Sequence, residues 1–198
     1  MKLLNTPNTL TFLRLLVIPL FVLAYYWRSP WSNATATGLF LLGAITDWLD
    51  GYLARRLNQS SAFGAFLDPV ADKLLVAAAL ILLVSSQGLA QHSLNHRLFS
   101  IAVLVIIGRE ITISALREWM AELGRRASVA VSLVGKVKTV AQMTAIPFML
   151  FRHVLGGVRI FWIGEMLLYV AAVLTLWSMS SYLRAAWPQL MHGTESIT

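Results

Sequence analysis

Six long apolar segments alternate with short polar stretches along the chain. The segments run from about Leu10 to Trp27, Ala36 to Leu57, Phe66 to Val84, Leu98 into the charged region at Arg109, Val134 to Phe151, and Ile160 to Leu183. A helix rises about 1.5 Å per residue, so roughly 20 apolar residues cross a bilayer. The pattern therefore predicts an all-α integral membrane protein with six transmembrane helices.

The two ends of the chain differ from these segments. Residues 1–9 contain a cluster of turn-forming and capping residues, from Asn5 to Asn8, which predicts a short interfacial element before the first span. Residues 184–198 are predicted to form a polar tail. Because neither a repeat nor a linker is visible, the sequence predicts a single domain over residues 1–198.

Composition supports the membrane prediction. The chain is 58% hydrophobic and 13% charged, which is far from an ordinary soluble domain. It contains no cysteine, which excludes disulfides, a thiol nucleophile and a Cys-based metal site. The net charge of +7 suits an anionic membrane surface or a phosphorylated substrate. The basic residues are spread among apolar spans, so we do not expect nucleic acid as a partner.

The basic residues also predict the orientation in the membrane. Six spans place both termini on one side. That side holds Lys2, Arg14, Arg55, Arg56, Lys73, Arg109, Arg117, Arg125, Arg126, Lys136, Lys138 and Arg184, and the other side holds Arg28, Arg97, Arg152 and Arg159. Loops rich in Lys and Arg stay in the cytoplasm. Both termini are therefore predicted to be cytoplasmic.

Four aspartates stand out where the second span ends and the third span begins. Asp47 and Asp50 are three residues apart and Asp68 and Asp72 four apart, so each pair lies on one face of a helix. Both pairs lie at the same end of adjacent spans. Clustered carboxylates repel one another unless a cation relieves them, and hard oxygen ligands suit Mg²⁺, Mn²⁺ or Ca²⁺. The stretch predicts a divalent-metal site.

A structural explanation exists for each pair. Asp68 before Pro69 is typical of a helix N-cap, and Asp47 with Asp50 is compatible with an exposed helix end paired with the two arginines that follow. However, an ionisable residue within a span costs about 2.5–3.5 kcal/mol to insert. Four such residues at one end of two helices favour a functional role.

Small residues are interleaved with the charged ones at Gly51, Ala54 and Gly64. Small residues in membrane helices usually allow close helix packing. They also leave space for a bulky ligand beside a metal. The spacing alone leaves both interpretations open.

The whole stretch fits the pattern DxxDGxxARx8Gx3Dx3D without a mismatch. The fixed positions are Asp47, Asp50, Gly51, Ala54, Arg55, Gly64, Asp68 and Asp72. On this motif the chain resembles the CDP-alcohol phosphatidyltransferase family. The resemblance implies a membrane enzyme that transfers the phosphatidyl group of a CDP-linked lipid to an alcohol and releases CMP. It also implies Mg²⁺ or Mn²⁺ as cofactor, with two ions, and a homodimer.

The resemblance assigns a role to each motif residue. It implies that Asp47, Asp50 and Asp68 are metal ligands, and that Asp72 completes the metal site and acts as the base. The residues implied to border the nucleotide of the CDP-lipid are Gly51, Ala54, Arg55 and Gly64.

Further segments resemble the bacterial members of the family that form phosphatidylglycerophosphate from CDP-diacylglycerol and sn-glycerol 3-phosphate. These segments are NTPNTLTFLRLLVIP, VIIGREITISALREWMAELGRR and SLVGKVKTVAQM. The first implies that Asn8 and Arg14 contact the CDP-lipid, although Arg14 could instead extend to the interface. This likeness implies the bacterial inner membrane, with the active site facing the cytoplasm.

A phosphorylated acceptor needs cations, and four are predicted near the cytoplasmic ends of the fourth and fifth spans. They are Arg109, Arg117, Lys136 and Lys138. Arginine suits two-pronged phosphate contacts and lysine a point-charge contact. The alternative is that each arginine pairs with the glutamate that follows it, and that the lysines bind lipid headgroups.

Two alternatives remain open, one for the identity of the acceptor and one for the activity. The acceptor could be inositol phosphate, serine, choline or phosphatidylglycerol, because the motif is shared by the whole family. A divalent-cation transporter would also place acids in a membrane. It predicts acids near mid-membrane, whereas these lie at one end beside basic residues.

Overall fold

The computed structural model describes residues 6–57, 62–122, 133–155 and 158–192. These residues form seven helices and one antiparallel hairpin of two short strands. In chain order the elements are α1 Thr6–Tyr26, α2 Ser32–Leu57, α3 Ala62–Ser85, α4 Leu89–His92, α5 His96–Glu122, α6 Leu133–Phe151, β1 Val154–Leu155, β2 Val158–Arg159 and α7 Ile160–His192.

The six long helices coincide with the six apolar segments. Helices α2 and α3 begin about four residues earlier than predicted, at Ser32 and Ala62, and both ends of the chain differ from the prediction as well. Residues 6–9 belong to α1 instead of a separate interfacial element, because Pro7 is compatible with a first helical turn. Helix α7 continues to His192, into the predicted tail, since Ala185, Ala186 and Leu190 are strong helix formers.

Among the described residues, three helical stretches are long and apolar enough to cross a membrane, judged by length and composition. They are Thr9–Tyr26, His96–Met120 and Ile160–Arg184, and a shorter apolar stretch covers Val137–Phe151. Large apolar side chains face outward on these helices, among them Leu16, Leu23, Leu104, Val173 and Trp177. A soluble protein rarely exposes so continuous an apolar surface, so the chain has the exterior of a membrane protein.

The helices surround one buried core. Helix α1 packs against α2 and α3, α2 against α6, α3 against α5, and α7 against α5 and α6. Phe21, Phe40, Leu83, Phe99 and Ile146 are buried in the same cluster. Because α3 packs between α1 and α5, its acidic residues have neighbouring helices on both sides.

Glycine permits the closest approach of α7 to α6. A Cβ added at Gly164 would lie 2.7 Å from the Ala145 carbonyl oxygen and 2.7 Å from a side-chain carbon of Met149. Side chains do not tolerate such distances, so this helix crossing requires glycine.

A buried carboxylate joins α7 to the segment before α5. Glu165 accepts hydrogen bonds from the backbone amides of Leu94 at 2.8 Å and Asn95 at 3.4 Å, and from the Tyr169 hydroxyl. Its side chain is completely buried. The start of α5 is thereby attached to the first turns of α7.

Candidate active site

Arg14 of α1 holds together carboxylates from two other helices. Its Nη1 lies 2.9 Å from Asp47 Oδ1 on α2 and 3.0 Å from Asp72 Oδ1 on α3. Its Nη2 forms an ion pair with Asp50 on α2. One guanidinium therefore contacts three of the four acids predicted from the sequence.

The fourth acid is held by a neighbour of Arg14 on the same helix. The Thr11 hydroxyl donates a hydrogen bond to Asp68 Oδ1. Thr11 and Arg14 are three residues apart, so both project from one face of α1. This face of α1 gathers Asp68 and Asp72 of α3 with the acids of α2.

The acid cluster, defined as Asp47, Asp50, Asp68 and Asp72 with Arg14, is buried on one side and open on the other. The Arg14 side chain is 0% exposed and that of Asp50 5%, whereas those of Asp47 and Asp72 are 35% and 37% exposed. Four carboxylates against one guanidinium leave three negative charges. The open side is where a further cation could approach.

The two structural explanations for the aspartates, an N-cap at Asp68 and an exposed helix end at Asp47 and Asp50, do not apply. Helix α3 begins at Ala62, well before Asp68, so Asp68 lies within the helix and is not its N-cap. Helix α2 continues to Leu57 beyond Asp50, whose buried carboxylate pairs with Arg14. The aspartates instead make contacts between helices.

The donor set of the cluster fits a divalent metal. Within the described ranges, no three Asp, Glu or His side chains are already arranged as a set of ligands for an ion. Arg14 lies among the carboxylates instead, and its buried Nε has no hydrogen-bond partner. Four oxygen-bearing side chains with excess negative charge are the chemistry that Mg²⁺ and Mn²⁺ require. Asp47, Asp50, Asp68 and Asp72 would hold such an ion.

A cavity of about 570 Å³ extends from the acid cluster into the space between α3, α5 and α6. Asp68 and Asp72 line one part of its wall, and Lys73, Arg109 and Lys138 line another. Its volume is within the usual range of about 300–1,000 Å³ for small-molecule sites. The cavity therefore joins the carboxylates to a set of cations.

A shared carboxylate holds two of these cations. Glu110 Oε1 lies 3.0 Å from Arg109 Nη1 and 2.6 Å from Lys138 Nζ. Arg109 also reaches α7, where its Nη2 lies 3.4 Å from the Ser178 hydroxyl and its guanidinium 6.0 Å from the Tyr182 ring centroid. The expected alternative, pairing of Arg109 with Glu110, is thus present, and the pair faces the cavity.

Comparison with known protein sequences identifies the family of this chain. The sequence profile of the CDP-alcohol phosphatidyltransferase family matches residues 4–177. The chain belongs to this family. It is 51% identical over 187 residues, 94% of this chain and 97% of the relative, to the CDP-diacylglycerol–glycerol-3-phosphate 3-phosphatidyltransferase of Escherichia coli strain K12. The protein of that name from Shigella flexneri serotype 5b gives the same identity and coverage.

The family resemblance inferred from the motif is therefore confirmed. The matches give the transporter interpretation no support. The roles of individual residues in this phosphatidyltransferase rest on the geometry of its own chain.

The two described glycines of the motif lie beside the acid cluster. Gly51 is half-buried on α2, directly after Asp50, and Gly64 is buried on α3, one helical turn before Asp68. Their predicted contact with the nucleotide remains a prediction. The side chains of five other predicted site residues lie outside the described part of the structure: Asn8, Ala54, Arg55, Arg117 and Lys136.

Sequence reasoning missed three cavity residues of this family member. Lys73 was counted only among the charges that set orientation, Glu110 only as a neighbour of Arg109, and Ser114 was not considered. Lys73 Nζ donates a hydrogen bond to the Ser114 hydroxyl on α5. Their positions in the sequence could have indicated a role in the site, because Lys73 directly follows Asp72 and Ser114 lies one turn after Glu110.

Proposed function

We propose that this protein transfers the phosphatidyl group of CDP-diacylglycerol to sn-glycerol 3-phosphate, giving phosphatidylglycerophosphate and CMP. The observation that carries the proposal is the cavity that joins Asp72 to Arg109 and Lys138. The names of the relatives at 51% identity support the same pair of substrates.

Arg109 and Lys138 bind the acceptor phosphate. Against the single carboxylate of Glu110 they leave one positive charge at this part of the cavity wall. A phosphate anion is attracted by that charge, and its contacts with guanidinium and ammonium groups are charge-assisted hydrogen bonds. Arg117 and Lys136 complete the phosphate site in this proposal, as the sequence predicts.

An acceptor bound there directs its hydroxyl towards the acid cluster. Asp72 lines the same cavity, is partly exposed, and takes the hydroxyl proton as general base. The acceptor oxygen attacks the phosphorus atom that carries the diacylglycerol. The bond from that phosphorus to the bridging oxygen breaks, and CMP leaves with the electron pair.

Metal ions complete the proposed site. Mg²⁺ or Mn²⁺, as two ions held by Asp47, Asp50, Asp68 and Asp72, would neutralise charge on the diphosphate. The chain itself positions the reactants, which accounts for most of the catalysis in phosphoryl transfer. Gly51, Ala54, Arg55, Gly64 and Asn8 border the CDP-lipid, while Arg14 holds the carboxylates beside it.

We further propose that the chain resides in a bacterial inner membrane with six spans, namely α1, α2, α3, α5, α6 and α7. Helices α2 and α3 carry their acids at the end that holds the active site, which shortens their apolar stretches. The excess of Lys and Arg on the side of the termini supports a cytoplasmic active site. The homodimer stays a prediction.

An assay of CMP release tests this function. Purified protein in detergent or lipid receives CDP-diacylglycerol and Mg²⁺ or Mn²⁺ with one acceptor from a panel. The panel contains sn-glycerol 3-phosphate, inositol phosphate, serine, choline and phosphatidylglycerol. We expect metal-dependent CMP release with sn-glycerol 3-phosphate above every other acceptor.

The outcomes separate the reaction from the acceptor. Absence of metal-dependent CMP release with every acceptor would contradict the transferase proposal. Turnover with inositol phosphate in preference to sn-glycerol 3-phosphate would keep the transferase and reject the acceptor.

A further inference from the structure

Two consecutive residues of α3 contact different neighbouring helices. Asp72 pairs with Arg14 of α1, at 3.0 Å, whereas Lys73 hydrogen-bonds to Ser114 of α5. Successive residues of a helix project about 100° apart, which accounts for this division. Lys73 is therefore directed away from the acid cluster, towards the helix that also carries Arg109 and Glu110.

The contacts of Lys73 differ from those of the other cavity cations. Arg109 and Lys138 both pair with Glu110. Within the described ranges, no carboxylate lies within ion-pair distance of Lys73, and Ser114 supplies a neutral hydroxyl. An ammonium group has three donors, so two remain for another partner.

The surroundings favour an anionic partner. Lys73 is half-buried and lines the cavity together with Arg109 and Lys138. A cation removed from water is unfavourable unless an opposite charge compensates it. Ser114 lies one helical turn after Glu110, so the hydroxyl that holds Lys73 and the carboxylate that holds the other two cations share a face of α5.

We propose that Lys73, oriented by Ser114, binds the phosphate group of the acceptor alongside Arg109 and Lys138. This inference rests on the proposed function and adds Lys73 to its substrate-binding residues. The diphosphate of the CDP-lipid is the other source of phosphate in this site. The direction of Lys73 towards α5 favours the acceptor.

Steady-state kinetics of Lys73→Gln separate the two sources. The KM for sn-glycerol 3-phosphate is measured at saturating CDP-diacylglycerol, and the KM for CDP-diacylglycerol at saturating acceptor. We expect the KM for sn-glycerol 3-phosphate to rise about 10-fold to 100-fold, the size of one charge-assisted hydrogen bond. The kcat and the KM for CDP-diacylglycerol should change less than about 3-fold, because Lys73 lies outside the reacting bonds.

Three companion variants sharpen the result. Lys73→Arg retains the charge and should restore most of the affinity for the acceptor. Ser114→Ala leaves the charge but removes its orienting hydroxyl, so its KM should lie between those of wild type and Lys73→Gln. Arg184→Gln removes an exposed cation of α7 that does not line the cavity, and it should leave both KM values unchanged.

A chemical measurement on the wild-type protein does not depend on the variants folding. Lysine methylation is followed at Lys73 by mass spectrometry, with and without sn-glycerol 3-phosphate or inorganic phosphate. We expect either anion to slow modification of Lys73.

Two results would overturn the inference. One is an unchanged acceptor KM in folded Lys73→Gln, or an increase only in the KM for CDP-diacylglycerol. The other is modification of Lys73 at the same rate with and without phosphate. Wild-type turnover with sn-glycerol 3-phosphate is measured first, so failure of the proposed function is recognised separately from failure of this inference.

Discussion

At the scale of single residues, Arg14 determines the arrangement of the acid cluster. It pairs with Asp47 and Asp72 at 2.9 and 3.0 Å and with Asp50, and it is fully buried. Without a cation, carboxylates this close would repel one another. Arg14 therefore keeps the carboxylates that we propose as metal ligands in place in the absence of metal.

Replacement of Arg14 by Gln should lower the stability of the metal-free protein. Leaving a buried charge unpaired costs at most about 3–5 kcal/mol, and here two of the partners are partly exposed. We expect a lower Tm in detergent with a chelator present. We also expect added Mg²⁺ to raise the Tm of the variant more than that of wild type, because the ion replaces the lost charge.

Arg56→Gln is the matched control for Arg14→Gln. Arg56 is exposed and lies 5.9 Å from the ring centroid of Tyr52, a contact worth about 0.5–1 kcal/mol. Its Tm should change little. Equal effects of the two substitutions would contradict the role assigned to Arg14.

Asp72 carries the proposed proton transfer. The Asp72→Asn side chain has nearly the same shape but cannot accept the proton, so kcat should fall by at least about 100-fold. Binding of the CDP-lipid should largely survive, because three other carboxylates remain. Single-turnover CMP release and binding of a CDP-lipid analogue measure the two effects, and retained turnover would remove Asp72 as base.

Part of the site could be predicted from the sequence because it is local. The spacing within each aspartate pair follows from helix geometry, and the motif gives their identity. The contact of Arg14 with Asp72 spans 58 residues of sequence and depends on how α1 packs against α3. No local pattern encodes that packing, so the sequence predicted contact of Arg14 with the CDP-lipid or with the membrane interface, and not with the aspartates.

At the scale of elements, apolar runs predicted the six long helices and most of their bounds. Helix α4 and the hairpin of β1 and β2 were not predicted, because elements this short depend on tertiary contacts instead of periodicity. One such contact is made by Arg152, which donates hydrogen bonds to the Tyr25 hydroxyl at 2.8 Å and the Ser86 hydroxyl at 3.0 Å. These elements close the end of the bundle away from the acid cluster.

Glu165 is the residue that attaches α7 to the start of α5. In Glu165→Ala the amides of Leu94 and Asn95 lose their acceptor, and the Tyr169 hydroxyl loses its partner. Hydrogen bonds to charged groups contribute about 1.5–3 kcal/mol each, so a clear fall in Tm is expected.

The effect of Glu165→Ala should be confined to stability. Arg109 lies more than ten residues along α5 from this contact, so the KM for both substrates should be unchanged in protein that remains folded. Glu165→Gln keeps one oxygen acceptor and should lose less stability than Glu165→Ala. A large change in either KM without loss of stability would contradict this assignment.

At the scale of the whole molecule, charge distinguishes one end of the bundle from the other. The acid cluster and the cavity cations lie at the end of the bundle that we propose to face the cytoplasm. This proposal rests on the sequence prediction that most Lys and Arg residues lie on the same side. Because the chain contains no cysteine, single cysteines report orientation without background.

Two positions test this orientation. Gln91 of α4 is exposed at the end away from the site, and Trp187 of α7 is exposed beyond the last apolar stretch. In intact spheroplasts, a membrane-impermeant maleimide should label Gln91→Cys, and it should label Trp187→Cys only after permeabilisation. The reverse pattern would place the active site outside the cytoplasm.

The contact of Arg14 with α2 and α3 also bears on how the bundle assembles in the bilayer. A lone charged residue costs about 2.5–3.5 kcal/mol to insert at the centre of a span and less near its end, and α1, α2 and α3 each carry at least one near the same end. When the three helices pack together, these charges compensate one another. Insertion of each helix into the lipid is therefore most favourable when the other two helices are present. The same side chains that hold the proposed site together would thus favour insertion of the three helices, each of which we propose to span the bilayer, as a single unit.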